Sequence, residues 1–186
     1  MKHVDNFEGN YNSVAKFLHW TIAILIIGNY ILGLTLDNTN LYTLHKQIGL
    51  TILLMVFFRI IWRIISKYPS KLDGVSNTEQ LAARFGQILL YLLMIAIPVS
   101  GVLMTQAHGY PLSFWGIIAI PTIIGQYPHE VTHMIKEWHE WMAHAIIIIA
   151  AGHAIIALMH HYITKDRLLR RMLPEACNKN AKKLTK

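Results

Sequence analysis

Residues 138–162 read WHEWMAHAIIIIAAGHAIIALMHHY, an apolar run with histidines along its whole length. On an α-helix His139 and His153, 14 residues apart, are separated by about 21 Å of rise and a rotation about 40° short of four turns. Their rings therefore share one face at two depths. A central charge in a membrane helix costs roughly 2.5–3.5 kcal/mol on insertion scales, so buried ionisable groups there have a partner or a task. For histidine the commonest task is to hold a metal through a neutral imidazole nitrogen. Two same-face histidines at different depths predict two metal centres stacked across a bilayer.

The composition agrees with a membrane setting. The chain has 186 residues, 54% apolar and 15% charged, with the charges clustered outside the apolar runs, which is the pattern of a multispan protein. One small helical bundle, a single membrane domain over 1–186, uses all of it. The polar N-terminus MKHVDNFEGNYNSVAKF precedes an apolar run too long for a signal-peptide h-region, so that run is expected to remain as a span. Cys177 is the single cysteine, which leaves no intrachain disulfide and no Cys-based metal site.

Four runs are long enough to cross about 30 Å of hydrocarbon: roughly 17–36, 46–65, 87–105 and 138–162. The third connection contains Gly109, Pro111, Gly116, Pro121 and Pro128 and cannot form one helix. Its LSFWGIIAIPTII stretch is apolar but too short to span, and is expected at the interface. Pro98 is expected to kink the third span. Of the 17 Lys and Arg, all but Lys46 and Lys136 fall on one side, so both termini and the basic tail 163–186 are expected in the cytoplasm. A juxtamembrane basic surface facing anionic lipid accounts for the net charge of +7 without nucleic acid, whose binding grooves and stacking platforms are missing. There is no GxGxxG and no GxxxxGK, and no acid in the spans is set to orient a catalytic histidine. The five tryptophans, near the span ends or in the third connection, fit an interfacial belt.

This topology gives each histidine a depth. His19 starts the first span at the cytoplasmic side and His45 starts the second at the other; the fourth span brings His139 in outermost, with His153 deeper. Depth pairs His45 with His139 and His19 with His153, each pair joining two helices. Two imidazoles facing each other across a bundle are the axial ligands of a six-coordinate b-type haem, which favours electron transfer. The fold expected is thus an all-α, four-helix transmembrane bundle enclosing two b-type haems.

Other residues fit the two levels. Gly33, 14 residues after His19, lies on its face at the outer level, where it leaves room for a porphyrin; Gly49 and Gly152 are further candidates, with small-residue helix packing the plain alternative. Arg59 stands in the same relation to His45, at the inner level, where it either meets a haem propionate or snorkels to the surface. His160, seven residues past His153, is placed to reach a propionate or a quinone headgroup. His161 points elsewhere. His144 is on the face opposite His153 and is expected to make a helix contact. His129 and His133 have zinc-like spacing but no carboxylate or cysteine to complete a site, and a solvated loop accounts for them. His3 and His108 carry no readable signal.

At this point the sequence resembles the bacterial cytochrome b561 family over nearly its whole length. The matching elements are FLHW at 17–20, LHKQIGLTILLMVFFRIIWR at 44–63, LYLLMIAIPVSGVLM at 90–104, the GYP and FWG elements at 109–116, and KEWHEWMAHAIIIIAAGHAIIALMHHYITKD ahead of LLRRMLP at 168–174. The resemblance implies four transmembrane helices, two haems, a bacterial inner-membrane location, and His19, His45, His139 and His153 as ligands. One departure is Gln87, where many relatives carry a histidine, so the third helix receives no ligand or relay role from the family pattern. The resemblance further implies an oxidoreductase that oxidises superoxide to oxygen on the outer face and passes electrons through both haems to ubiquinone. Lys46 and Lys136 lie within one turn of outer ligands, where a positive spot raises encounter rates with an anion; pairing with Glu137, Glu140 or propionates is the alternative.

Two other functions stay open on sequence. One is a cytochrome b subunit relaying electrons for a hydrogenase- or dehydrogenase-type protein partner. The other is a divalent-metal transporter, weakened by the lack of Asp or Glu within the spans.

Overall fold

A computed structural model describes residues 11–36, 39–66, 77–164 and 169–173. His3, Cys177 and most of the basic tail lie outside the described residues. Four helices form the body: α1 (Ser13–Gly33), α2 (Thr39–Ile65), α3 (Asn77–Ala107) and α4 (His129–Met159), the last continued by a π-helical turn, His160–Thr164. Between α3 and α4 a two-stranded antiparallel hairpin pairs β1 (Leu112–Phe114) with β2 (Ile118–Ile120). All four helices are long and apolar enough to cross a membrane. The chain is a four-helix transmembrane bundle.

The helices run beyond the apolar windows that hydropathy marks. Asn12 caps α1, its side chain accepting from the Ala15 N–H at 2.8 Å, so α1 begins at residue 13 rather than 17 and ends at Gly33 in a turn rather than at 36. Helices α2, α3 and α4 start about seven to ten residues before the expected 46, 87 and 138. Their first turns are polar and lie outside the hydrocarbon, where helix formation continues but hydropathy carries no signal. Pro98 lies inside α3 without ending it, as membrane helices allow when neighbours satisfy the freed groups. Residues 112–120 of the expected interfacial stretch form the hairpin.

In space α1 packs on α2, α2 on α3 and α3 on α4, while α1 and α4 barely meet. Ile22, Ile52 and Val56 form the buried core of this open ring, with Tyr91 and Met94 packed against them. Large apolar side chains elsewhere turn outward: Phe17, Ile24 and Ile148 are exposed, which only a lipid solvent makes favourable. The bundle is therefore held together mainly through α2 and α3, with α1 and α4 at its two ends.

Candidate functional site

The four histidines come from three helices and occupy two tiers. In the upper tier His45 of α2 and His139 of α4 face each other with ring centroids 6.2 Å apart and ring planes at 74°. Each is half-buried. Each also has its Nδ1 committed: that of His45 lies 3.0 Å from the Asn29 carbonyl, and that of His139 lies 2.9 Å from Ser100 Oγ. A carbonyl only accepts, so His45 carries its proton on Nδ1. Ser100 donates its own hydroxyl proton to the Ile97 carbonyl at 2.8 Å, so it accepts from His139 Nδ1–H. Both rings thus keep an unprotonated Nε2, the tautomer a metal-binding histidine needs.

Two glycines make space for these rings. A Cβ on Gly33 would come within 3.2 Å of His45 Cε1, and one on Gly101 within 3.4 Å of His139 Cε1. Gly33 therefore yields room to the imidazole of His45, at the level where sequence reading expects it to leave space. Gly49 lines the adjoining cavity, whereas a Cβ on Gly152 would meet only open space.

That cavity is bounded by both histidines, Asn29, Tyr30, Gly101 and Leu112. Asn29 Oδ1 is buried there without a partner among the described residues. Two imidazoles gripping one metal from opposite sides, at about 2.0–2.1 Å each, hold their centroids roughly 6.3 Å apart, which the observed separation matches. The residues present fit a bis-histidine haem.

The lower tier is more open. His19 is half-buried, and His153 is exposed. The Arg59 guanidinium acts electrostatically on both rings. Its Nε donates to Tyr91 Oη at 3.1 Å, and Arg63 lies over the same phenol ring at 5.6 Å from its centroid. Arg63 also donates to Gln87 Oε1 at 3.1 Å, which gives the departure at Gln87 a structural partner. A second, smaller cavity lies between Arg59, Arg63, Trp62, Tyr91 and Met172.

The two lysines differ. Lys136 forms an ion pair with Glu140 at 3.0 Å, both side chains being exposed. Lys46 lines the upper cavity and lies over the Tyr42 ring at 4.5 Å, with no carboxylate against it among the described residues. His144 bonds Tyr30 through Nδ1 at 2.8 Å, a contact that ties α4 to α1. The His129 and His133 rings lie 5.9 Å apart, and His133 approaches Glu137 at 3.6 Å. His108 bonds back to the Met104 carbonyl. His160 opens the π-helical turn. Among the described residues, no three His, Cys, Asp or Glu side chains gather as a non-haem metal site.

Sequence reading missed Asn29, Ser100, Gly101 and Tyr91. Ser100 and Gly101 lie two and three residues after Pro98, and small residues close to a membrane-helix proline are the signal that finds them.

A profile of the family described as prokaryotic cytochrome b561 matches residues 10–175. Cytochrome b561 homolog 2 of Escherichia coli K12 is 34% identical over 90% of this chain and 93% of its own length. Cytochrome b562 of Cereibacter sphaeroides is 32% identical over 89% and 96%. A probable superoxide oxidase of Yersinia pestis is 26% identical over 89% and 96%.

Proposed function

The chain belongs to the prokaryotic cytochrome b561 family of membrane electron-transfer proteins, which use b-type haem, and from that premise we propose that it is a di-haem superoxide:quinone oxidoreductase of the bacterial inner membrane. His45 and His139 hold one haem near the periplasmic side, His19 and His153 a second near the cytoplasm, and both termini are cytoplasmic. The haems supply one-electron storage at two depths. Two superoxide ions each lose one electron and leave as oxygen, and ubiquinone gains both electrons and two protons to become quinol.

The protein's own residues do the rest. The Asn29 carbonyl and Ser100 fix the two upper imidazoles, and Leu112 narrows the cavity against water. Lys46 draws the anion to the upper tier, and Arg59 offers charge to the lower one, with His160 beyond it toward the propionates or the quinone. The observation that carries this reading is the upper pair: facing rings 6.2 Å apart, each with Nδ1 engaged. The name of the Yersinia relative supports superoxide as donor.

The test is spectroscopic and kinetic. The purified protein should carry two haems, lose one in His153→Ala, and reduce quinone on stopped-flow addition of superoxide. Two haems with no superoxide turnover, and co-purification with an iron–sulfur protein, would favour the relay subunit instead.

A further inference from the structure

The connection between α3 and α4 starts as a chain that ought to be in water, yet residues 110–128, YPLSFWGIIAIPTIIGQYP, contain no Asp, Glu, Lys or Arg. At the hairpin's tip Ile117 is 83% and Ile118 59% exposed. The way the hairpin is fastened says where that tip lies. Gln106, one residue from the end of α3, donates to the Pro121 carbonyl and accepts from the Ile123 N–H, both at 3.0 Å. Those residues therefore sit level with the helix end. The tip is held lower, on α2. Gln47 accepts from the Trp115 N–H at 2.6 Å and donates to the Ser113 carbonyl at 3.0 Å. One turn further along, Thr51 accepts from the Trp115 indole at 3.1 Å. Helix α2 begins at Thr39, so Gln47 and Thr51 lie about 12 and 18 Å along it from that end, and both fall within its apolar run 46–65. The hairpin runs down the flank of α2 instead of rising from it.

A hairpin that enters lipid gains by satisfying its backbone internally, and this one pairs much of its own. The ladder pairs Leu112 with Ile120 and Phe114 with Ile118. The turn closes through Ile117 N–H to the Phe114 carbonyl at 3.0 Å. Trp115 and Gly116 both have positive φ, 50° and 71°, a backbone form unusual for tryptophan. Ser113 C=O and Trp115 N–H are the groups that Gln47 pairs, and Gln47 is itself buried. Leu112, on the hairpin's inner face, lines the upper cavity.

We infer that the hairpin is a lipid-embedded flap: its tip, Ile117 and Ile118, inserts among the acyl chains of the leaflet at the His45 end, held there by Gln47 and Thr51. The inference rests on hydrogen bonds and depth along α2, and stands whether or not the haem reading does.

Nitroxide accessibility in the full-length protein tests it. In a Cys177→Ser background, Ile117→Cys and Glu130→Cys are spin-labelled and the protein is reconstituted in phosphatidylethanolamine–phosphatidylglycerol vesicles. At 117 the label should collide preferentially with oxygen, at 130 with a water-soluble nickel chelate. Nickel access at 117 equal to that at 130 would put the tip in water and overturn the inference. Exclusion of both reagents with dipolar broadening would mean a second copy covers the tip, which overturns it equally. Gln47→Leu should move the 117 label toward nickel; if that variant does not fold, Thr51→Val, which frees only the indole, should do so more weakly. An unchanged label in a folded variant would remove these residues from the fastening.

Discussion

Ser100 accepts the Nδ1 proton of His139 at 2.9 Å with its own proton already given to Ile97, so one hydroxyl fixes both the tautomer and the angle of an imidazole on a neighbouring helix. Outer-shell partners of this kind tune ligand basicity. Ser100→Ala should leave both haems bound and raise the upper potential, because a less basic imidazole stabilises ferric iron less. A tenfold change corresponds to about 59 mV for one electron; redox titration reads it, and an unmoved upper potential would remove Ser100 from this role.

The glycines at 33 and 101 are steric. Gly101→Leu should drive a side chain into the His139 ring and lose the upper haem selectively, so that haem per protein falls by half while His19 and His153 still bind theirs. Gly152→Ala, with open space around it, should bind both haems normally. Haem quantitation by reduced-minus-oxidised spectra decides between them.

The lysines should separate kinetically. A free cation at a cavity mouth steers anions with gains from tenfold upward at low salt. Lys46→Glu should cut the second-order rate with superoxide about tenfold and abolish its ionic-strength dependence. Lys136→Gln should have little effect, because Glu140 already balances that charge. Equal losses in the two variants would return the steering role to both.

Arg59 should act on the lower tier alone. A cation beside a haem favours the reduced form, so Arg59→Leu is expected to lower the lower potential and leave the upper one in place. Tyr91→Phe, which removes the phenol oxygen that Arg59 holds, should shift it in the same direction by less.

The Tyr30–His144 bond joins helices that otherwise barely meet. Interhelical hydrogen bonds in membranes are worth about 0.6–2 kcal/mol. Tyr30→Phe should destabilise the protein by that amount in detergent unfolding while both haem spectra persist.

Much of this was legible along the chain because the bilayer imposes it. Apolar length sets the spans, and a helix advances at a constant rise, so the level of each histidine follows from counting. His45 and His139 meet across the bundle, their ring centroids 6.2 Å apart. Helix ends were less legible, since polar turns outside the hydrocarbon leave hydropathy silent: α4 starts at His129, not at 138.

The sequence by itself determined the class of the protein and its four spans, because those depend on local periodicity and on lipid as solvent. Only the tertiary structure decided what touches what sideways. It set Ser100 and Gly101 against His139, paired Lys136 and left Lys46 at the cavity, and folded a charge-free connection down the side of α2. Depth is a property of one helix, whereas lateral contact depends on how each helix is rotated and packed against the others, and no count along the chain contains that rotation.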